Sequence, residues 1–226
     1  MRSKPMRTVF LATLALAAAS CSCGPDEGND GPRVASLELR TELPSPDEAA
    51  SCAKQAGTYI CPRDASGTLT LVARDGSGTE VQVDPDKVAW RVDSTGPTVA
   101  MTASGTTASV TGKQDWFDTG GSEGSAVVTA SYDGLEASLP IAVVMNASGS
   151  WLATLDLGFS YTLSLRQVGR AVVDTGSGYS GRVDNDALTL YVNGIDVSAR
   201  FTSRTSVSGT YSGPDGLSGT LTCTKQ

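Results

Sequence analysis

The sequence predicts an all-β protein, built as a β-sandwich followed by a small antiparallel β-meander or barrel. Short alternating runs rich in Val, Thr, Leu, Tyr and Ser recur along the chain, and Gly, Asp, Asn and Pro separate them. Beyond the N-terminal region, apolar residues nowhere recur at helical spacing over successive turns. Only 47–56, DEAASCAKQA, is predicted to hold a helical turn. Turn signals typical of hairpins lie at DGSG (75–78), YDG (132–134), VNGID (192–196) and GPDG (213–216).

Residues 1–20 have the layout of a secretory signal peptide. Arg2, Lys4 and Arg7 form a basic start, and Thr8 to Ala19 form an apolar run. That run is about a dozen residues long, whereas a helix needs roughly twenty to span a bilayer. A buried first helix is the alternative, but polar sequence rich in Gly and Asp follows at once.

The end of this segment, Ala18-Ala19-Ser20-Cys21, resembles the lipobox of bacterial lipoproteins, although Ala18 stands where leucine is more usual. The resemblance implies cleavage before Cys21 and lipid on its thiol, so Cys21 would anchor the protein to a membrane. Residues 21–33 would then be the lipidated cysteine and a disordered tether. Ser22 favours the outer membrane over the inner one. A periplasmic or secreted protein without lipid is the alternative.

Residues 34–145 are predicted to form a sandwich. The predicted strands lie near Ala35–Thr41, Thr68–Arg74, Val88–Val92, Val99–Met101, Ala108–Thr111, Ala126–Tyr132 and Ser138–Val144. The segments GTLTLVARDGSG, VAWRVD, ASVTG and GSAVVTASYDGLEASLPIAVV resemble bacterial Ig-like domains of the intimin and invasin kind. The resemblance implies a core role for Trp90 and a spacer or binding module without a shared catalytic site. The sequence departs from that pattern in a loop between Cys52 and Cys61 and in the long segment from Lys113 to Ser125.

Residues 151–226, after a short seam at MNASGS (145–150), are predicted to form a run of hairpins. The predicted strands are WLATLDLG, FSYTLSLRQVG, RAVVDTG, YSGRV, ALTLYV, DVSARFT, SVSGTYSG and LSGTLTCTKQ. An up-and-down meander of this kind avoids exposed edges by closing into a barrel. Gly149-Ser150-Trp151 is similar to the G-x-W that opens lipocalin-like barrels, which implies that Trp151 packs at the closed end against Lys225. Strands this short predict a small barrel and put a ligand cavity in doubt.

Charge and cysteine content fit an extracytoplasmic protein. Without residues 1–20, 14 basic residues face 24 acidic ones, a net charge of −10. Nucleic-acid binding is excluded because it needs clustered Lys and Arg. Cys52 and Cys61, nine positions apart, are predicted to form a local disulfide, with a two-cysteine metal site as the rival. Cys23 and Cys223 are left either to pair or to stay free.

No catalytic, cofactor or metal site is predicted. The chain has no histidine, so the G-x-S-x-G match at 120–124 lacks a base for its serine. The densest carboxylate groups are Asp115 with Asp118, and Asp184 and Asp186 with Asp196. Turn formation explains both groups, and a weak structural calcium site is the alternative.

Trp116 and Phe117, in GKQDWFDTGG, are the candidate ligand contacts. Two bulky aromatic residues in a polar loop predict an exposed patch for an envelope protein or a glycan; the alternative is that they fold back to plug the end of the sandwich.

The leading expectation is therefore a non-catalytic lipoprotein of the cell envelope that acts as a structural or adhesion-type binding module. The alternative is a carrier of a small apolar ligand in the C-terminal barrel, and a glycosidase with paired carboxylates is a third, weaker hypothesis. The carrier hypothesis requires an open lumen lined by residues such as Leu163, Leu165, Leu188, Leu190 and Phe201.

Overall fold

Strands account for most of the structure. The computed structural model describes residues 33–192 and 194–226, so the predicted signal peptide, Cys21 and Cys23 lie outside the described residues. The described chain from residue 33 onwards belongs to one compact unit. Within that part of the chain, no helix is long and apolar enough to cross a membrane. Two single-turn 3₁₀ helices lie at Pro85–Lys87 and Pro214–Gly216.

Along the chain, the strands fall into two sets. The first set builds a sandwich and the second a barrel. The first set is β1 Val34–Thr41, β2 Ala50–Ser51, β3 Ala53–Gln55, β4 Thr58–Pro62, β5 Ser66–Asp75, β6 Glu80–Val81, β7 Ala89–Ser94, β8 Val99–Ser104, β9 Thr107–Gly112, β10 Gly124–Tyr132 and β11 Leu135–Val144. The second set is β12 Gly149–Leu155, β13 Ser160–Val168, β14 Ala171–Asp174, β15 Ser180–Asp184, β16 Ala187–Val192, β17 Ile195–Ser203, β18 Ser206–Ser212 and β19 Ser218–Lys225.

Ten strands of the first set form two five-stranded sheets that pack face to face. One sheet has the order β1-β5-β9-β8, with β6 also paired to β5, and the other has the order β3-β4-β11-β10-β7. Leu69 and Val110 from the first sheet meet Val128 and Val143 from the second in one apolar core, all fully buried. Every one of the seven strands predicted for this region is present, as alternating apolar residues with one buried face dictate.

Trp90 lies at the margin of this core. Its side chain is partly buried against the core cluster, and its indole N–H donates to the carbonyl of Gly105 at 2.8 Å. A tryptophan in this position fills space between the sheets while its one polar atom finds a partner.

The helical turn predicted over 47–56 is wrong, because this segment is extended. Residues 53–55 pair with β4 in a hairpin that turns at Ala56 and Gly57, both at positive φ. The Cys52–Cys61 disulfide closes the hairpin, which confirms that pairing. β2 leaves the sandwich altogether and pairs in parallel with β13. Sheet pairing and the cross-link outweigh the weak helical preference of so short a stretch.

The second set forms a closed barrel of eight strands. Each strand from β12 to β19 pairs antiparallel with the next, and β12 also pairs with β19, which closes the ring; the end of β13 that extends past β12 pairs with β2 instead. All eight predicted strands are present. The closure explains why the meander is stable without a second sheet to cover it.

The connection from β11 to β12 is buried. Met145 and Ala147 belong to the apolar core of the barrel, although the sequence places both in the seam. Gln167 on β13, fully buried, accepts from the backbone N–H of Ala147 at 2.7 Å and donates to the carbonyls of Met145 and Gly169 at 3.0 and 2.9 Å. The side chain therefore satisfies backbone groups that have no strand partner.

Candidate ligand cavity in the barrel

One half of the barrel encloses a cavity of about 630 Å³, which opens at the end where β12 turns into β13. This volume is within the range of about 300–1,000 Å³ that is usual for small-molecule sites. The lining is mostly aliphatic and aromatic: Ala153, Leu155, Leu157, Phe159, Tyr161, Thr162, Leu163, Asp174, Gly176, Ser177, Tyr179, Leu190, Val192, Ile195, Val197, Tyr211, Leu217, Leu221 and Cys223.

The period-two alternation of the strands decides which side chains enter the cavity. On β12, Ala153 points into the barrel and is buried, while the neighbouring Leu152 is 38% exposed on the outside. On β13, Tyr161 and Leu163 line the cavity, and Leu165 two residues later belongs to the packed core. The inward residues of the open half therefore border the cavity, whereas those of the closed half pack against one another.

Two of the five predicted lumen residues line the cavity, Leu163 and Leu190. The other three, Leu165, Leu188 and Phe201, lie in the packed core of the closed half instead. Sequence reasoning missed most of the remaining lining. The alternation along each predicted strand identifies inward positions, but it does not identify which end of the barrel is filled.

The closed end is packed around Trp151. The ring is 2% exposed, its N–H donates to the carbonyl of Ala147 at 2.8 Å, and it meets Phe201 edge-on with 6.1 Å between ring centroids. Lys225, directly opposite on β19, places its Nζ 5.6 Å from the Trp151 ring centroid. This is the packing that the G-x-W pattern implies. Burial lowers the pKa of the Lys225 ammonium, while the ring face offers it partial compensation.

The rim of the open end is apolar and exposed. Leu157, Phe159 and Tyr161 are 57%, 59% and 55% exposed, and Leu217 across the mouth is 38% exposed. Four large apolar side chains gathered at the mouth of a cavity differ from scattered surface residues and indicate a contact or access surface.

Two carboxylates stand at the mouth. Asp174 lines the cavity and is 4% exposed; it accepts from the N–H of Ser164 at 2.7 Å and from the N–H of Ser177 at 2.9 Å. Burial works to raise the pKa of Asp174, but these hydrogen bonds and that of the Ser177 hydroxyl hold it below its ordinary value. Asp156 accepts from the N–H of Thr220 at 2.8 Å and from the Tyr211 hydroxyl at 3.0 Å, and these bonds lower its pKa. Both side chains are therefore carboxylates at neutral pH.

Cys223 contributes a free thiol to the cavity wall. Its side chain is buried, and burial raises the thiol pKa to about 11. A thiol of this kind is a weak nucleophile at neutral pH and behaves as a small apolar residue. Within residues 33–192 and 194–226, no three His, Cys, Asp or Glu side chains come together as a metal site would require.

The loop with Trp116 and Phe117 lies against the barrel and is also tied to the sandwich through Arg63. Trp116 is partly buried on the core of the barrel. Phe117 is 37% exposed, and the Arg204 guanidinium lies 5.9 Å above its ring. Asp115, fully buried, accepts from Arg204 twice at 3.2 Å, so an arginine of the β17–β18 turn holds the loop in place.

Four of the five carboxylates that the sequence singled out form ion pairs, and the fifth, Asp196, lies on the outer face of β17. Asp118 contacts both Arg63 and Arg204, which links the sandwich to the barrel through one small network. Asp184 pairs with Arg170 and Arg182, and Asp186 with Arg200. A second link between the two parts is the pair of Arg170 with Glu123.

No family model matches the chain, and no curated protein matches it. Among solved structures, domains 4–9 of the surface layer protein SbsC are similar at 13% sequence identity with a TM-score of 0.32. The similarity covers 87% of this chain and 27% of that one, so the chain spans about a quarter of the length of that structure. A likeness of this extent says nothing about function.

Proposed function

We propose that the protein is a non-catalytic carrier that binds a small, largely apolar molecule inside its C-terminal barrel. The observation that carries the proposal is the cavity of about 630 Å³, open at one end and lined mostly by apolar side chains. A filled interior would have excluded a carrier. The exposed apolar rim at Leu157, Phe159 and Leu217 offers a path by which an apolar ligand reaches the lumen.

The cavity makes the carrier hypothesis stronger than the module hypothesis that the sequence favoured. Trp116 is partly buried against the barrel core, so an external contact at that loop would depend on Phe117 alone. By contrast, the cavity offers a concave apolar surface, the usual form of a small-molecule site.

The first experiment is a titration of the purified chain with a neutral apolar fluorophore, 1-N-phenylnaphthylamine, whose emission rises in an apolar site. The wild type is expected to show saturable binding at one site. Ala153→Trp fills the cavity and should weaken binding at least about tenfold, or 1.4 kcal/mol. Leu152→Trp is the matched control, because it adds the same ring one residue away on the outer face.

Thermal unfolding of both variants separates a filled cavity from a misfolded barrel. If Ala153→Trp folds and binds the fluorophore as tightly as Leu152→Trp does, the ligand does not enter the lumen. Absence of saturable binding by the wild type would reject the carrier hypothesis.

Two further properties belong to the proposal. The sandwich is assigned to the Ig-like class because β1-β5-β9-β8 faces a sheet in which β10 lies between β7 and β11, and this order matches the ABED and CFG sheets of that fold. We also propose that lipid on Cys21 anchors the carrier to the outer membrane. Incorporation of labelled palmitate, lost in Cys21→Ser, tests the anchor; an unlabelled wild type would favour the periplasmic or secreted alternative.

A further inference from the structure

The two ends of the barrel differ in charge. The turns at the open end contain acidic residues and no Lys or Arg: Asp156 lies in the β12–β13 turn, Asp174 ends β14 and Asp215 lies in the β18–β19 turn. Asp174 is the one charged side chain in the cavity lining of the described residues. The charged groups that a ligand passes on its way into the lumen are therefore carboxylates.

The basic residues of the barrel are committed elsewhere. Arg166 donates to the carbonyls of Ser45 and Glu48, and Lys225 lies over the Trp151 ring. The other four form ion pairs: Arg170 with Glu123, Arg182 with Asp184, Arg200 with Asp186, and Arg204 with Asp115. Arg170 and Arg204 lie in the turns of the closed end, and Lys225 ends the strand that reaches it. None of these six cations is therefore positioned to receive an anionic group at the mouth.

We infer that the ligand is an amphiphile with an apolar body and a cationic head, such as a primary ammonium, which stays at the mouth beside Asp174. This inference rests on the proposed function, since it specifies the ligand of the same cavity. The apolar lumen accepts the body, and the head keeps contact with water and with the carboxylates. An anionic head of the same size would face only like charge.

The experiment compares three ligands that share one chain and differ in the head: decylamine, decanol and decanoate. Each competes with 1-N-phenylnaphthylamine for the purified full chain at neutral pH, at about 0.01 M and about 0.5 M salt. We expect the amine to bind at least about tenfold more tightly than the acid at low salt, with the alcohol between them. The difference in affinity between the amine and the acid should become smaller at high salt, because salt at that concentration screens exposed charges within a few ångströms.

Variants locate the effect at the mouth. Asp174→Asn should reduce the ratio of amine to acid affinity, and Asp215→Asn should reduce it as well. Asp215→Asn is the safeguard against misfolding, because the side chain of Asp215 is exposed and asparagine tolerates its positive φ. Asp86→Asn, an exposed carboxylate of the sandwich, is the control and should leave the ratio unchanged.

Each result has a distinct meaning. Decanoate binding as well as decylamine, or a ratio that the mouth variants leave unchanged, would overturn the inference while the carrier function stands. Failure of all three ligands and of the fluorophore would instead reject the carrier function itself.

Discussion

Gln167 supports the floor of the barrel, and its replacement provides a quantitative test of the packing. Its amide makes three hydrogen bonds, to the N–H of Ala147 and to the carbonyls of Met145 and Gly169, at 2.7–3.0 Å. Gln167→Leu keeps the size of the side chain but leaves these groups without that partner. A buried polar group without a partner costs about 1–3 kcal/mol. Even the lower limit gives a loss of about 3 kcal/mol for the three together, a large part of the 5–15 kcal/mol typical of a domain.

Gln167→Glu separates the loss of these bonds from a general loss of fit. A glutamate there can still accept from Ala147, but as a carboxylate it would face the carbonyls of Met145 and Gly169, so its pKa in the folded state is raised. Below the unfolded pKa of about 4.3 both states are protonated, and above it only the unfolded state ionises. The stability of this variant should therefore fall by about 1.4 kcal/mol per pH unit above that value, until the folded state ionises as well.

The assay is urea unfolding followed by tryptophan fluorescence between pH 4 and pH 8, with the wild-type pH profile subtracted. Gln226→Leu, an exposed glutamine at the end of the chain, is the control and should change stability by less than about 0.5 kcal/mol. A Gln167→Leu protein as stable as this control, or a Gln167→Glu protein without the pH slope, would refute the reasoning.

Three further predictions concern the cysteines and the closed end. The Cys52→Ser/Cys61→Ser double variant should lose roughly 2–3 kcal/mol, because the disulfide closes a short loop, and thermal melts that match the wild type would contradict this. Alkylation of Cys223, followed by peptide mass spectrometry, should be slow at pH 7 and accelerate about tenfold per pH unit up to the thiol pKa of about 11; a fast reaction at pH 7 would show that the thiol is not buried. Trp151→Ala should lower the free energy of unfolding by about 3–5 kcal/mol. Lys225→Met, which keeps a long apolar stem on the ring, should lower it by less than about 1 kcal/mol. Equal losses of stability in chemical unfolding would mean that the contact depends on the charge of Lys225.

Strand positions were the most predictable part of the fold. The alternation of buried and exposed residues is a local property, and each predicted strand in both sets corresponds to an observed one. The barrel floor was predictable as well, because the G-x-W pattern names Trp151 and the last strand supplies Lys225. The alternation is local, whereas the contact of Trp151 with Lys225 was anticipated only through the resemblance of Gly149-Ser150-Trp151 to lipocalin-like barrels.

The unpredicted elements depend on contacts that are distant in sequence. β4 is a short apolar run whose register is set by parallel pairing with β11, about 80 residues later. β2 is two residues long and exists only because β13 offers it an edge. The cavity has the same origin. The residues at inward positions could be anticipated, but the unfilled volume depends on how side chains from several strands meet across the lumen.

The sandwich also supports the barrel, because residues outside the eight barrel strands complete its closed end. Met145 and Ala147 contribute to the barrel core, and Trp116 covers part of it from the loop that Asp115 and Arg204 hold. A cavity open at one end needs a rigid floor, since water that entered from below would abolish the apolar environment. The unusually long segment after β9 is therefore best explained as a support for the barrel, which is why Trp116 packs against the barrel core while Phe117 stays partly exposed beside Arg204.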